Sequence, residues 1–224
     1  MRKYLAEFLG TLVLVLFGTG IAVVSNGNLI ATSLAFGLAI VAMAYSIGKI
    51  SGCHVNPAVS LAMYLNKKME LREFCYYVVA QILGAICGSA ILYLILTNTD
   101  LGVLALGANG YATLSANAIT LFGAIVTEIV LTFVFVFVIL GVTSDDSKSS
   151  VAGIVIVLTL AFVNFLGIPL TGTSVNPARS LAPAIFLGGE ALKQVWVFIL
   201  APLVGAALAA FTFKYLYDVK KKKH

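Results

Sequence analysis

The chain has 224 residues, of which 61% are hydrophobic and 10% are charged, and its mean hydropathy is +1.05. A soluble domain of this length cannot bury so much apolar surface, so the composition excludes a soluble globular protein and indicates a membrane protein with several spans. The formal net charge of +5 does not indicate a nucleic-acid partner, because the basic residues lie at the ends of the apolar segments, where they set membrane topology.

Six long apolar segments follow one another, and their lengths are near or above the roughly 20 residues that a transmembrane helix needs. We predict them at 4–24, 29–48, 71–96, 116–142, 151–166 and 194–217. The first is too long for a signal-peptide core and contains Glu7, so we interpret it as a retained span. Two further helices, predicted at about 56–65 and 176–186, are too short to cross. The prediction is an all-α membrane protein with six transmembrane helices and two half-helices.

The tripeptide Asn-Pro-Ala occurs twice, within the shared pattern Val-Asn-Pro-Ala-x-Ser-Leu. Asn is a favourable helix N-cap, and Pro suits the first helical position, so each copy predicts a helix start. A helix that starts at membrane depth needs a buried or water-lined setting for its free backbone groups. Two such starts, one in each half, indicate a pore or binding site near the bilayer midplane. The residues are Asn56, Pro57 and Ala58 in the first copy and Asn176, Pro177 and Ala178 in the second.

The order of two long segments, a short helix and a long segment is repeated in the second half. We therefore predict one domain, 1–224, made of two repeats at about 1–97 and 116–217. Glu7 lies 49 positions before Asn56, and Glu128 lies 48 positions before Asn176. Three spans per repeat is an odd number, so the second repeat must be inverted. The two half-helices then enter from opposite sides, and their N-termini meet near the centre.

The distribution of lysine and arginine predicts that both termini are cytoplasmic. In that orientation only Arg179 and Lys193 lie outside. The basic residues inside are Arg2, Lys3, Lys49, Lys67, Lys68, Arg72, Lys148, Lys214 and Lys220 to Lys223.

Glu7 and Glu128 occupy equivalent positions in predicted spans of the two repeats, and a buried carboxylate needs a partner. One interpretation is a proton relay, as in a transporter. The other, which the repeat favours, is that each carboxylate accepts hydrogen bonds from backbone N–H groups of its own half-helix loop. We expect His54 to anchor the first loop and to line the cytoplasmic half of a pore.

No enzymatic, metal or cofactor chemistry is predicted. Cys53, Cys75 and Cys87 follow no metal-ligand spacing, and the two histidines, His54 and His224, cannot form a zinc site. No plausible Ser–His–acid set occurs.

Arg179 is the exception to the repeat, because the equivalent position in the first half is Val59. A charge present in one copy only is not required by the shared architecture, so Arg179 is a functional candidate that can donate to polar solutes and repel cations. The alternative is an arginine that extends to the membrane interface.

These motifs closely resemble the aquaporins, or major intrinsic proteins, over essentially the whole chain, and the lengths resemble a bacterial or archaeal member. The resemblance implies a homotetramer with one pore in each subunit, placed in the cell membrane. It also implies an outer constriction formed by Phe36, Asn164, Thr173 and Arg179.

The constriction and the residue after its arginine fit neither of the two family patterns completely. Water-selective members usually have His where this chain has Asn164. Glycerol-conducting members usually have a small apolar residue there and Asp directly after the arginine, where this chain has Ser180. The resemblance therefore implies a passive water channel that excludes protons and ions, and Asn164 leaves open the passage of glycerol or urea. An ion-coupled secondary transporter is the alternative, because it would share the inverted repeat and the broken helices.

Overall fold

Eight α-helices form most of the chain in the computed structural model, which describes residues 1–103, 105–144 and 149–221. Six of them are long and apolar enough to cross a membrane. No strand occurs in the described ranges, and the predicted fold class is confirmed. The helices are α1 (Arg2–Val24), α2 (Leu29–Ser51), α3 (Pro57–Leu65), α4 (Leu71–Leu96), α5 (Leu121–Val142), α6 (Ser149–Thr171), α7 (Pro177–Leu187) and α8 (Gly189–Lys221).

Several helix ends differ from the predicted ones for local reasons. Helix α2 continues to Ser51 because Gly52, with φ of 85°, supplies the left-handed conformation that ends it. Helix α5 begins only at Leu121, where the Thr120 hydroxyl caps it by accepting from the Gly123 N–H at 3.2 Å. Helix α6 runs through Pro169 to Thr171, since a proline inside a membrane helix is tolerated where neighbouring groups satisfy the backbone acceptor that it leaves free.

The packing of the helices is similar in the two halves of the chain. Helix α1 packs against α2 and α4, and α5 packs in the same way against α6 and α8. Each half-helix also packs across the molecule, α3 on α8 and α7 on α4, while α2 and α6 join the two halves. The half-helices are therefore enclosed by long helices from both repeats.

Small residues allow the closest of these helix pairs. A Cβ atom on Gly84 would lie 2.2 Å from the backbone oxygen of Phe8, and one on Gly88 would lie 2.7 Å from that of Leu12. In the second half, a Cβ on Gly205 would lie 2.4 Å from the oxygen of Ile129. Glycine lets these helix backbones approach each other, as is common in membrane proteins.

Two polar contacts place several segments at one end of the bundle. Lys3 at the start of α1 pairs with Glu73 at the start of α4. The Lys68 ammonium, between α3 and α4, donates to the Thr143 carbonyl at the end of α5 at 3.2 Å. Of the basic residues that the sequence predicts on the cytoplasmic side, Lys148, Lys222 and Lys223 lie outside the described residues.

Candidate functional site

The two half-helices begin with the same capping geometry. The Asn56 side-chain oxygen accepts from the Ala58 N–H at 2.8 Å, and Pro57 is the first helical residue. The Asn176 oxygen accepts from the N–H groups of Ala178 and Arg179 at 3.1 and 3.2 Å. Both asparagines are extended and buried, so their side chains are directed back over their own helix starts.

The amide nitrogens of the same two asparagines connect the halves. Asn56 Nδ2 donates to the carbonyl of Val175 at 2.7 Å, and Asn176 Nδ2 donates to the carbonyl of Val55 at 2.9 Å. An amide nitrogen carries two N–H groups, so each asparagine has a second donor beyond this bond. Both residues line a cavity between the half-helices, so that second donor is available to a molecule inside it.

The loops that lead into the half-helices are strained in matching ways. Cys53 and Val55 have φ of 51° and 44°, and Thr173 and Val175 have φ of 46° and 45°. A non-glycine residue with a positive φ of this kind costs about 1–3 kcal/mol of conformational energy, so the loops need supporting contacts.

Glu7 supports the first loop. Its carboxylate accepts from the N–H groups of His54 at 2.9 Å and Val55 at 2.6 Å. The Ser51 hydroxyl and the Gln81 amide nitrogen donate to the same carboxylate at 2.7 and 2.8 Å. Four donors therefore surround one buried acid, which leaves it little capacity to take part in proton transfer.

Glu128 has the equivalent place in the second half. It accepts from the N–H groups of Ser174 at 2.8 Å and Val175 at 3.0 Å, and from the Thr171 hydroxyl at 2.7 Å. Gln81 has no counterpart here, so Glu128 binds one donor fewer among the described residues. Gln81 was missed in the sequence, although a single amide within an apolar span is a recognisable signal.

His54 lies in the first loop and lines the cavity. Its Nδ1 is 3.1 Å from the Ser60 hydroxyl, and its ring lies against Tyr77 with centroids 5.1 Å apart. Its backbone N–H donates to Glu7 and its ring contacts Ser60 and Tyr77, so both its backbone and its side chain are fixed, as expected of a residue that anchors the loop.

Four side chains that the family resemblance named as a constriction come together on the same cavity. Phe36 comes from α2, Asn164 from α6, Thr173 from the second loop and Arg179 from α7, and all four are buried. The Arg179 guanidinium carbon lies 4.9 Å from the centre of the Phe36 ring. Asn164 Nδ2 and Thr173 Oγ1 are buried and have no hydrogen-bond partner within the described part of the chain.

The Arg179 side chain is 3% exposed and does not extend to a membrane interface. Its Nη1 donates to the Gly107 carbonyl at 2.7 Å and to Asn109 Oδ1 at 2.9 Å, and its Nη2 donates to the Gly172 carbonyl at 3.3 Å. Asn109 and Gly107 belong to the connection between α4 and α5, which carries none of the motifs that predicted the site.

The cavity is narrow and mostly apolar. Its volume is ≈ 20 Å³. A cavity needs roughly 10–15 Å³ to hold one water molecule, so this cavity has room for one or two. Apart from the residues above, its walls include Leu14, Ile40, Phe135 and Leu160, which offer a passing molecule no side-chain hydrogen bond. The few polar groups therefore determine how a molecule inside is oriented.

Six membrane-spanning helices that enclose two opposed half-helices around such a cavity define a helical membrane protein of channel type. The chain belongs to the major intrinsic protein family, a family of channels, whose model matches residues 1–213.

Relatives and a solved structure agree with this assignment. The chain is 47% identical to glycerol uptake facilitator protein-like 6 of Lactiplantibacillus plantarum over 212 residues, covering 94% of this chain and 96% of the relative. It is 43% identical to aquaporin Z of Rhodopseudomonas palustris over 223 residues, covering 96% and 93%. The structure of the aquaglyceroporin from Plasmodium falciparum superposes with a TM-score of 0.84 at 25% identity, covering 97% of each chain.

Proposed function

We propose that this protein is a passive channel that conducts water and, more slowly, small neutral solutes such as glycerol or urea, while excluding protons and ions. The observation that carries the proposal is the ≈ 20 Å³ cavity, which holds water-sized molecules between two asparagine amides and one arginine. The names of the relatives support both parts, since one is an aquaporin and another a glycerol uptake facilitator.

The centre of the passage orients water. Each half-helix N-terminus carries about +0.5 of an elementary charge toward the point where the two meet. The free N–H groups of Asn56 and Asn176 donate to the oxygen of one water molecule, whose lone pairs are then occupied. That water cannot accept a further hydrogen bond along the file, so a proton cannot be relayed through it. Helix dipoles of this kind are a known device of water channels.

The outer constriction selects the solute. Arg179 repels cations and donates to neutral solutes, and Phe36 supplies an apolar wall opposite. Asn164 and Thr173 supply the polar side of the constriction. Neutral polar molecules small enough to pass Phe36 are therefore the expected solutes.

We infer an arrangement in the membrane that follows the family. The chain is one domain of two inverted repeats, at about 1–97 and 116–217, with both termini cytoplasmic. Four copies assemble in the lipid of the cell membrane, each with its own pore. The positive charge on the side of Lys3 and Lys68 and the many apolar side chains exposed on the long helices support this arrangement.

An ion-coupled transporter is the alternative, and the two intramembrane acids argue against it. Glu7 and Glu128 each accept backbone N–H groups of a strained loop, so a protonation cycle at either one would release the loop. Glu73 and Glu190 also lie in long helices, but each is in the first turn and pairs with a lysine, so neither completes a relay.

The test is stopped-flow light scattering on proteoliposomes. Shrinkage in an impermeant osmolyte gives the water permeability, and the recovery phase in glycerol or urea gives the solute permeability. We expect fast water flux, slower solute flux and no dependence on an imposed proton or sodium gradient. Water flux no faster than that of empty liposomes, with correctly assembled protein, would contradict the proposal, and saturable gradient-driven uptake would favour the transporter.

A further inference from the structure

Asn109 is an amide buried in the connection between α4 and α5, with 4% of its surface exposed. Its Oδ1 accepts from Arg179 Nη1 at 2.9 Å and from the Ser180 hydroxyl at 2.7 Å. One acceptor atom from outside the membrane-spanning helices thus holds two consecutive residues of α7, one of which carries the charge at the constriction.

Asn109 is itself held in place by contacts with the end of α6. Its Nδ2 donates to the Thr171 carbonyl at 3.2 Å, and the neighbouring Gly110 N–H donates to the same carbonyl at 3.1 Å. The Thr171 hydroxyl in turn donates to Glu128 at 2.7 Å. The amide cannot rotate without breaking these contacts, so it is a rigid support for the arginine.

The other protein acceptors of the Arg179 guanidinium are backbone carbonyls. Gly107 and Gly172 supply them, at 2.7 and 3.3 Å. Asn109 is therefore the one side chain among the described residues that holds the guanidinium through a hydrogen bond. Arg179 has five N–H donors, and these contacts engage only some of them, which leaves the others for the cavity.

We propose that Asn109 is a positioning residue of the outer constriction. It holds the Arg179 guanidinium against the wall and so keeps the passage open. The inference rests on the proposed function, because it concerns the aperture through which water would pass.

The consequence of removing this support follows from the size of the passage. Without Asn109 Oδ1, one N–H of a buried cation loses its acceptor and can donate instead to water in the cavity. The guanidinium then leans toward the lumen. Since the cavity of ≈ 20 Å³ holds only one or two water molecules, even a small displacement into it obstructs the file.

The test compares Asn109→Ala with two variants in proteoliposomes. Asn109→Asp keeps an oxygen where Arg179 needs its acceptor. Asn117→Ala is the matched control, because Asn117 ties the same connection to α6 by donating to the Pro169 carbonyl at 2.8 Å and does not touch Arg179. Osmotic water permeability per assembled channel is measured for each.

We expect Asn109→Ala to lower water permeability by about three- to tenfold, since a hydrogen bond to a charged group shifts the held and released populations by about tenfold or more. Asn109→Asp should restore most of the flux, and Asn117→Ala should retain the flux of the unmodified channel. In an Arg179→Val background, Asn109→Ala should cause no further loss, because the group that obstructs the file is gone.

Three results would each overturn the proposal: unchanged flux in Asn109→Ala, an equal loss in Asn117→Ala, or an equal loss in the Arg179→Val background. If Asn109→Ala does not assemble, Asn109→Ser replaces it, because serine keeps a hydroxyl in the loop but withdraws the acceptor from Arg179. Its water permeability is then compared with that of Asn117→Ala and tested in the Arg179→Val background. A failure of the proposed function is recognised separately, because the unmodified protein would then conduct no more water than empty liposomes.

Discussion

Asn56 and Asn176 hold each other's loop: each amide nitrogen donates to the carbonyl of the residue before the other asparagine, at 2.7 and 2.9 Å. The two half-helices are therefore not independent elements that happen to meet. Each one caps itself with its side-chain oxygen and fixes its partner with its side-chain nitrogen.

Asn176→Asp tests this reciprocal contact. The change removes both N–H donors and places a negative charge where the two helix dipoles meet. Loss of a buried hydrogen bond costs about 1–3 kcal/mol, so we expect a lower thermal midpoint in detergent. We also expect faster acidification of proteoliposomes loaded with a pH-sensitive dye, because the positive barrier is reduced. Asn56→Asp should behave alike, and a variant with unchanged stability and proton tightness would show that these amides are not needed.

Glu7→Gln and Glu128→Gln should lower stability more than they change selectivity. In each variant an amide NH2 group replaces one carboxylate oxygen and faces the loop donors that this oxygen had accepted. Each buried donor left without an acceptor costs about 1–3 kcal/mol. Glu7 binds four donors, so we expect the larger loss there. Thermal unfolding measures this, with Glu190→Gln as the control because Glu190 pairs with Lys193 at an exposed site. A heat-stable variant that had lost pH-dependent transport would instead revive the proton-relay interpretation.

Arg179→Val should increase the leak of protons and small cations. The substitution removes the one charge that lines the cavity in the described structure, and it leaves the acceptor of Asn109 without its arginine donor. Dye-loaded proteoliposomes under a pH or potassium gradient measure the leak. If an assembled variant is as tight as the unmodified channel, the barrier to cations lies in the half-helix dipoles alone.

Asn164→His should suppress glycerol and urea flux while sparing water. The imidazole is larger than the amide and narrows the space opposite Phe36, but it keeps a donor on the polar side of the constriction. The recovery phase of the stopped-flow trace gives the ratio of solute to water permeability. Equal solute flux in both forms, or no solute flux in the unmodified channel, would show that selection rests on Phe36 and Arg179.

Local chemistry explains why so much of this site could be predicted. The starts of α3 and α7 depend on an Asn cap and a Pro at the first helical position, and neither needs a distant partner. The pairing of Glu7 with one loop and Glu128 with the other could be inferred because the repeat places each at nearly the same separation from its motif. Hydropathy alone defined the six spans, since a lipid-facing helix must be apolar along its length.

Only the tertiary structure could identify Asn109 and Gln81 as parts of the site. Asn109 is 70 residues from Arg179 and lies in a connection without helical periodicity, so no local pattern relates the two. Gln81 reaches Glu7 across 74 residues because glycines let α1 and α4 approach closely. The sequence by itself determined the spans, the two half-helix starts and the acid that supports each loop, because these follow from local backbone chemistry and repetition. The aperture was decided by tertiary structure, because it depends on where a connection outside the spans folds back to meet the arginine.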